Sequence, residues 1–247
     1  MEIPRIPLGD WIESGLTWLT SEYSLVTRGI SRFTQTGIDF LNDSLMWLPE
    51  WALLGLIALL CWKLAGVRLA IGAVAGLALI WNLDLWNPMI ETLTLVVFAT
   101  MVAVVIALPV GIAAALSNRL YRVIMPILDF MQTMPAFVYL IPAIPFFGIG
   151  SVSAIFATVI FSMPPAIRFT TLGIRQVPVE LIEAADAYGA TRGQKLFKVQ
   201  LPLSLPTVMA GINQTIMLAL SMVVIAAMIG ADGLGSEVWR AIQRLRP

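Results

Sequence analysis

The sequence predicts an all-α protein that crosses a membrane several times, and its composition carries this prediction. Hydrophobic residues make up 59% of the chain and charged residues 12%, against about 25% charged in an average soluble domain. Several apolar runs approach the length of about 20 residues that a membrane helix needs. Because backbone polar groups must be satisfied inside the bilayer, such runs form helices. We therefore expect a polytopic helical bundle.

The same composition excludes several functional classes. Fifteen Lys and Arg residues balance fifteen Asp and Glu residues, so no basic surface for nucleic acid is predicted. The chain has no His and one cysteine, Cys61, which argues against an internal disulfide or a His/Cys metal site. The run from Gly189 to Lys195 lacks the spacing of a phosphate-binding loop. We expect neither catalytic residues, a metal site nor a nucleotide site in this chain.

Residues 1–50 differ from the rest of the chain. Acidic residues dominate, and apolar residues recur at near-helical spacing, namely Ile30, Phe33, Ile38, Leu41 and Leu45, together with Trp11, Trp18 and Trp47. Two interpretations are open. The segment is either an amphipathic helix lying on a membrane face or a loosely ordered, solvated tail.

Residues 51–247 are predicted to form a transmembrane domain of about six spans. Two short runs, 51–66 and 67–83, form a tight hairpin, and the later runs are 88–116, 121–147, 151–167 and 204–229. Pro109 lies inside the third run. The fourth run contains Pro126, Pro135, Pro142 and Pro145. Prolines are typical of kinked or broken helices around a pathway.

The distribution of Lys and Arg predicts the orientation. One set of short loops contains Lys63, Arg68, Arg119, Arg122, Arg168, Arg175, Arg192, Lys195 and Lys198, whereas the opposite short loops contain none. The large loop at 176–203 is therefore expected in the cytoplasm and residues 1–50 outside. Arg240, Arg244 and Arg246 run against this topology, because they fall on the outer side.

The loop at 176–203 is predicted to form two short helices with a break. Alanines favour helix in its first half, Gly189 suits a left-handed helix cap, and a second helix at 191–199 exposes Lys195 and Lys198. Pro202 and Pro206 mark the start of the next span. A charged loop of this length indicates a partner in the water. The alternative is a helical hairpin packed against its own protein.

The pattern Glu183-Ala184-Ala185-x-x-x-Gly189, followed by Gln194 and Leu201-Pro202-x-x-x-Pro206, resembles the EAA loop of ABC importer permeases. The runs 132–142 and 229–235 resemble the glycine betaine/proline betaine (osmoprotectant) permeases, and the resemblance extends from about Trp51 to Pro247. That family usually has two spans after the loop, whereas this sequence shows one. We therefore expect the final span of the family to be absent, either because the chain is truncated or because the last helix has been lost.

The resemblance implies a type I ABC importer transmembrane domain, a helical bundle with a cytoplasmic coupling helix. Two permease copies would form a homodimer within the lipid of a bacterial cytoplasmic (inner) membrane. A cytoplasmic ABC ATPase would bind ATP and Mg, and an extracytoplasmic substrate-binding protein would deliver the betaine. The implied ATPase-coupling residues are Glu183, Ala184, Ala185, Gly189 and Ala190.

Two other functions stay open at this stage. One is an ABC permease for another small solute, such as an amino acid. The other is an ion-driven secondary carrier, whose expected charged relays or inverted repeats are not evident beyond Asp129. The two differ in whether the chain needs an ATPase, so copurification with one separates them.

Four polar residues within spans are candidates for the pathway, namely Asp129, Gln132, Asn213 and Gln214. Asp129 lies about 12 Å along its helix from Tyr121, at about 1.5 Å per residue. A carboxylate within a membrane span suggests a function, here attraction of a cationic headgroup. A hydrogen-bonded structural role is the alternative for Asp129 and equally for Asn213 and Gln214.

Overall fold

A computed structural model of the chain describes residues 8–244. These residues are almost entirely helical and contain no strand, so the predicted fold class is confirmed. Residues 1–7 and 245–247, which include Arg246, lie outside the described part of the chain.

Twelve α-helices follow one another along the described chain. They are α1 (Leu8–Glu22), α2 (Ser24–Met46), α3 (Glu50–Ala65), α4 (Val67–Asn82), α5 (Trp86–Leu116), α6 (Asn118–Thr133), α7 (Leu140–Phe147), α8 (Ser151–Arg175), α9 (Val179–Ala187), α10 (Arg192–Lys195), α11 (Leu201–Ala226) and α12 (Leu234–Arg244). Short helical turns join some of them. Two are 3₁₀ turns, at Ala136–Tyr139 and Ala227–Ile229, and one is a π-helical turn, at Leu196–Gln200.

The α3–α4 pair shows how one residue sets a turn. Gly66 separates the two helices with φ of 90° and ψ of 173°, a conformation open to glycine because it has no Cβ. The helices pack against each other. The turn lies where the sequence predicted a hairpin.

The proline-rich run from α6 to α7 is bent by 112° at its break. Met134, which precedes Pro135, has an extended ψ of 137°, because proline disfavours the helical conformation of the residue before it. By contrast, α5 continues through Pro109. The break therefore forms at one of the prolines named from the sequence, and the others, Pro109, Pro126, Pro142 and Pro145, lie within α-helices.

Three helical segments of the described chain are long and apolar enough to cross a membrane, namely Trp86–Leu116, Ser151–Arg175 and Arg192–Ile229. The number rises to five if the bent pairs α2–α3 and α6–α7 each count as one span, and α4 is a shorter apolar helix. Helix α8 continues eight residues beyond the predicted end of its run. The count of about six spans stays a prediction.

The chain divides into two compact units. The first contains the residues up to Thr94, Leu140–Ile155 and those from Ala226 onward. Its core is a cluster of Leu53, Trp86, Met89 and Ile90. The N-terminal end of α12 is fixed in the same unit, because the Leu234 N–H donates to Thr92 Oγ1 at 2.8 Å.

The second unit contains Leu95–Tyr139 and Phe156–Ile225. Its core cluster joins α5, α6 and α8 through Ala107, Leu128, Ala166 and Ile167. Helix α8 also approaches α5 and α11 closely at Gly111 and Gly211. Small residues at helix contacts let backbones approach in a membrane, where packing drives association.

Candidate functional site

Helix α9 lies at the surface and contains no buried residue. It begins after Pro178, whose extended ψ of 132° leaves the helix to start at Val179. Val179 and Leu181 are exposed, and Tyr188, just after the helix, is 93% exposed. The described protein therefore leaves Val179 and Leu181 of α9 uncovered, whereas Ile182 is half-buried.

A left-handed turn at Gly189 ends α9. Gly189 has φ of 75°, and the N–H of Ala190 donates to the carbonyl of Ala185 at 3.0 Å. The Gly189 N–H donates to Asp186 O at 2.9 Å. These bonds satisfy carbonyls at the helix end, as in a Schellman-type cap. The left-handed cap predicted at Gly189 is confirmed.

A capping box starts the next helix, and the sequence interpretation missed it. The Gln194 N–H donates to Thr191 Oγ1 at 3.3 Å, while the Thr191 N–H donates to Gln194 Oε1 at 2.8 Å. The signal was available, because Thr followed three residues later by Gln is the pattern of this cap. An ion pair of 2.5 Å from Lys195 Nζ to Asp186 Oδ1 then joins the two halves of the loop.

The second half of the loop is continuous with a membrane helix. The Leu201 N–H donates to Leu196 O across the π-helical turn, and the helical run continues from Arg192 to Ile229. Pro202 and Pro206 thus lie within a continuous run, although the sequence interpretation placed the start of a span there. Local π geometry is a known means of accommodating a disturbed hydrogen-bond pattern.

The residues proposed for coupling occupy two environments. Glu183, Ala184 and Gly189 are exposed, whereas Ala185 and Ala190 are half-buried. The half-buried pair forms the backbone bond that closes the cap. The exposed three are free to contact a partner, and the coupling role of all five stays a prediction.

Asp129 is paired with a residue that the sequence interpretation used only for topology. Arg168 Nη2 of α8 lies 2.5 Å from Asp129 Oδ1 of α6. The pair lines a cavity of about 290 Å³, with Tyr121, Met125, Thr171, Leu172 and Arg175 as the other lining residues. Gln132, Asn213 and Gln214 are exposed and do not line this cavity.

Arg175 fixes the neighbouring helix ends. Its Nη2 donates to the Ala114 carbonyl at 3.2 Å and to Asn118 Oδ1 at 2.8 Å. The guanidinium also lies 4.1 Å from the ring centroid of Tyr121, a cation–π distance. Arg175 therefore joins the end of α8 to the end of α5 and the start of α6, directly before the loop that carries α9.

We expect Asp129→Asn to lower the free energy of unfolding by about 1 kcal/mol or less, because the pair is partly exposed. The double variant Asp129→Asn/Arg168→Gln removes both charges and should regain part of the lost stability. Thermal unfolding and solute uptake of both variants check this. Loss of uptake in both variants with unchanged unfolding temperatures would instead place Asp129 in the pathway.

Comparisons with known proteins identify relatives of this chain. Residues 107–246 match the family model described as "Binding-protein-dependent transport system inner membrane component". The chain is 48% identical to the glycine betaine permease OpuAB of Bacillus subtilis, covering 99% of this chain and 86% of that protein. It is 51% identical to the glycine betaine/carnitine permease GbuB of Listeria monocytogenes, covering 98% and 87%.

The match to ProW of Escherichia coli, a glycine betaine/proline betaine permease, is 45% identical and covers 97% of this chain and 68% of that protein. Among solved structures, inward-facing MetNI, a methionine ABC transporter, matches with a TM-score of 0.57 and 28% identity. That match covers 61% of this chain and 76% of the solved chain. A second crystal form of the same transporter gives a TM-score of 0.54 and 29% identity.

Proposed function

Since this chain belongs to the family of binding-protein-dependent inner membrane transport components, and within it to the glycine betaine permeases, we propose that it imports glycine betaine and related betaines. The observation that carries the proposal is identity of 45–51% over 97–99% of this chain to three such permeases. The chain is an inner-membrane permease with the fold of a type I ABC importer transmembrane domain.

A permease of this family works with an ABC ATPase and a substrate-binding protein. In our proposal the ATPase binds ATP and Mg in the cytoplasm, and this chain hydrolyses nothing. Two copies of the chain form a homodimer within the lipid. The binding protein delivers the betaine from the outside.

The proposed coupling element is α9. Its uncovered apolar side chains and the adjacent Tyr188 suit a cleft on the ATPase, because burying them there removes apolar surface from water. Glu183, Ala184 and Gly189 are exposed on the same element. Small alanine side chains allow the partner to approach the helix backbone closely.

In our proposal, a movement of α9 is transmitted to the membrane helices through two connections, one to α8 and one to α11. Only residues 176–178 separate it from α8. On its other side, the Lys195–Asp186 ion pair and the Gly189 turn tie it to the helical run that becomes α11. Closure of the ATPases would thus displace α8 and α11 together and change access from one side of the membrane to the other.

The two alternative functions receive less support. The ion-driven carrier is inconsistent with membership of a binding-protein-dependent family. An amino-acid permease would agree with the methionine transporter structures, but their identity of 28–29% is well below that of the betaine permeases. The betaine assignment is therefore the better supported of the two.

Reconstitution tests the proposal. The permease is copurified with its ATPase, placed in proteoliposomes and supplied with the binding protein. We expect betaine-loaded binding protein to stimulate ATP hydrolysis several-fold and to drive uptake of labelled betaine. Methionine with the same binding protein serves as the control and should do neither. Failure of the permease to retain an ATPase, or equal stimulation by both solutes, would contradict the proposal.

A further inference from the structure

Helix α2 has an uncovered apolar face built on a seven-residue spacing. Phe33, Phe40 and Trp47 are 72%, 70% and 85% exposed, and Val26 continues the series and is also exposed. Seven residues correspond to about two helical turns at 3.6 residues per turn, so these side chains lie nearly in line. They form one apolar stripe along the whole helix.

A second face of α2 packs against its own protein. Thr34 and Ile38 are buried, and Leu45 packs against the core cluster of the first unit. Thr94 Oγ1 of α5 lies 3.5 Å from Asn42 Oδ1 on the same face. At about 100° per residue, this face is centred about 125° from the stripe. The side chains of the stripe therefore lie on a different face from the contacts that hold α2 against the described protein.

The third face of α2 is charged and exposed. It contains Arg28, Arg32, Asp39 and Asp43, and it lies about 110° from the stripe in the other direction. Two positive and two negative side chains leave this face without net charge. Helix α2 therefore has three faces: one packs against the protein, the next carries the exposed apolar stripe, and the third is charged.

The direction of α2 relative to its neighbour indicates what covers the stripe. Helix α2 is bent by 92° from α3, which is apolar and largely free of charge. Helix α2 spans about 35 Å at about 1.5 Å per residue, yet its four charges oppose a crossing. If α3 runs along the membrane normal, α2 runs parallel to the membrane plane.

We infer that α2 is an interfacial helix, with its Val26–Phe33–Phe40–Trp47 stripe inserted among lipid acyl chains and its charged face in the headgroup water. An apolar face, a charged face and aromatic side chains are the features of such helices. Trp47 and nearby Trp51, both exposed, suit the membrane interface. Because the charged face carries no net charge, insertion rests on apolar area and is independent of anionic lipid.

Spin labels on single cysteines test this inference in the permease–ATPase complex in lipid nanodiscs. Cys61→Ser removes the native thiol, and Phe33→Cys, Phe40→Cys and Asp39→Cys each supply one label site. The matched control is Asp39→Cys, one residue from Phe40 in sequence but on the charged face. Retained ATP hydrolysis by the labelled complexes shows that they are folded.

We expect labels at 33 and 40 to collide with membrane-dissolved oxygen and not with a water-soluble nickel chelate, and the label at 39 to do the reverse. Their depths should agree, whereas a helix along the membrane normal would separate them by about 10 Å. Replacing neutral with anionic lipid should leave the depths unchanged.

Three results would overturn the inference. Nickel collisions at 40 equal to those at 39 would place the stripe in water. Strong coupling between labels of two copies, with little oxygen contact, would show that a second copy covers it. A depth difference near 10 Å between 33 and 40 would show that α2 crosses the membrane. None of these results bears on the transported solute, which the reconstitution experiment tests separately.

Discussion

Replacing Gly189 with valine abolishes betaine uptake while the membrane helices still insert; this is the largest functional effect we expect. Gly189 has φ of 75°, and a β-branched residue in this region is strained by about 1–3 kcal/mol. The chain would relieve the strain by opening the turn, which breaks the bond from the Ala190 N–H to the Ala185 carbonyl. Helix α9 would then lose the fixed direction that our proposal requires for its contact with the ATPase.

Uptake in proteoliposomes and the amount of ATPase retained on purification measure this effect, and both should fall. The matched control is Gly193→Ala in the same loop, where an added Cβ meets nothing within 4 Å and the glycine has no positive φ. This variant should transport normally. Gly189→Asn should retain part of the activity, because asparagine tolerates left-handed backbone better than valine. Normal uptake by Gly189→Val would refute the coupling role.

Replacing Gly211 with valine is expected to cause the largest loss of stability. A Cβ at this position would lie 2.6 Å from Phe169 Cβ and 3.2 Å from the Pro165 carbonyl oxygen. Both are on α8 and neither is the free end of a flexible side chain. Overpacking of this kind costs about 1–3 kcal/mol, and the two further methyl groups of valine add to it. Helix α11 would be pushed away from α8.

Thermal unfolding of the detergent-solubilised protein measures the loss. Gly111→Ala should behave similarly, because its Cβ would lie 2.7 Å from Thr170 Cβ, which also belongs to α8. Gly72→Ala in α4 is the matched control, since nothing lies within 4 Å of its added Cβ. Alanine there should be neutral or slightly stabilising, by its higher helix propensity. Equal unfolding temperatures for Gly211→Val and Gly72→Ala would contradict the close packing.

Features set by local chemistry were the ones that the sequence predicted well. The α3–α4 turn at Gly66 and the cap at Gly189 both follow from the freedom of glycine at positive φ. The capping box at Thr191 is equally local and could have been found. The behaviour of the prolines was harder to predict, because whether a proline breaks a helix depends on which neighbours accommodate it. Pro135 coincides with a break, whereas Pro202 lies in a continuous run.

Features that depend on distant parts of the chain could not be predicted. Asp129 was singled out from the sequence, but its partner Arg168 is 39 residues away. The spacing of residues along one helix does not show which other helices will pack beside it. The three faces of α2 show the same limit. The apolar positions Phe33 and Ile38 were noted together, yet one is exposed and the other buried, because only tertiary contacts distinguish the two faces.

The continuous run from Arg192 to Ile229 also has a mechanical consequence. It contains 38 residues, about 57 Å at about 1.5 Å per residue, nearly twice the hydrocarbon thickness of about 30 Å. In our proposal, this run would act as one lever that reaches from the ATPase side into the bilayer. A rotation of about 10° around its midpoint would move each end by about 5 Å. The π-helical turn at Leu196–Gln200 lies near the loop end of this run, so bending at this turn would reduce the part of an ATPase movement that reaches the membrane-spanning helix.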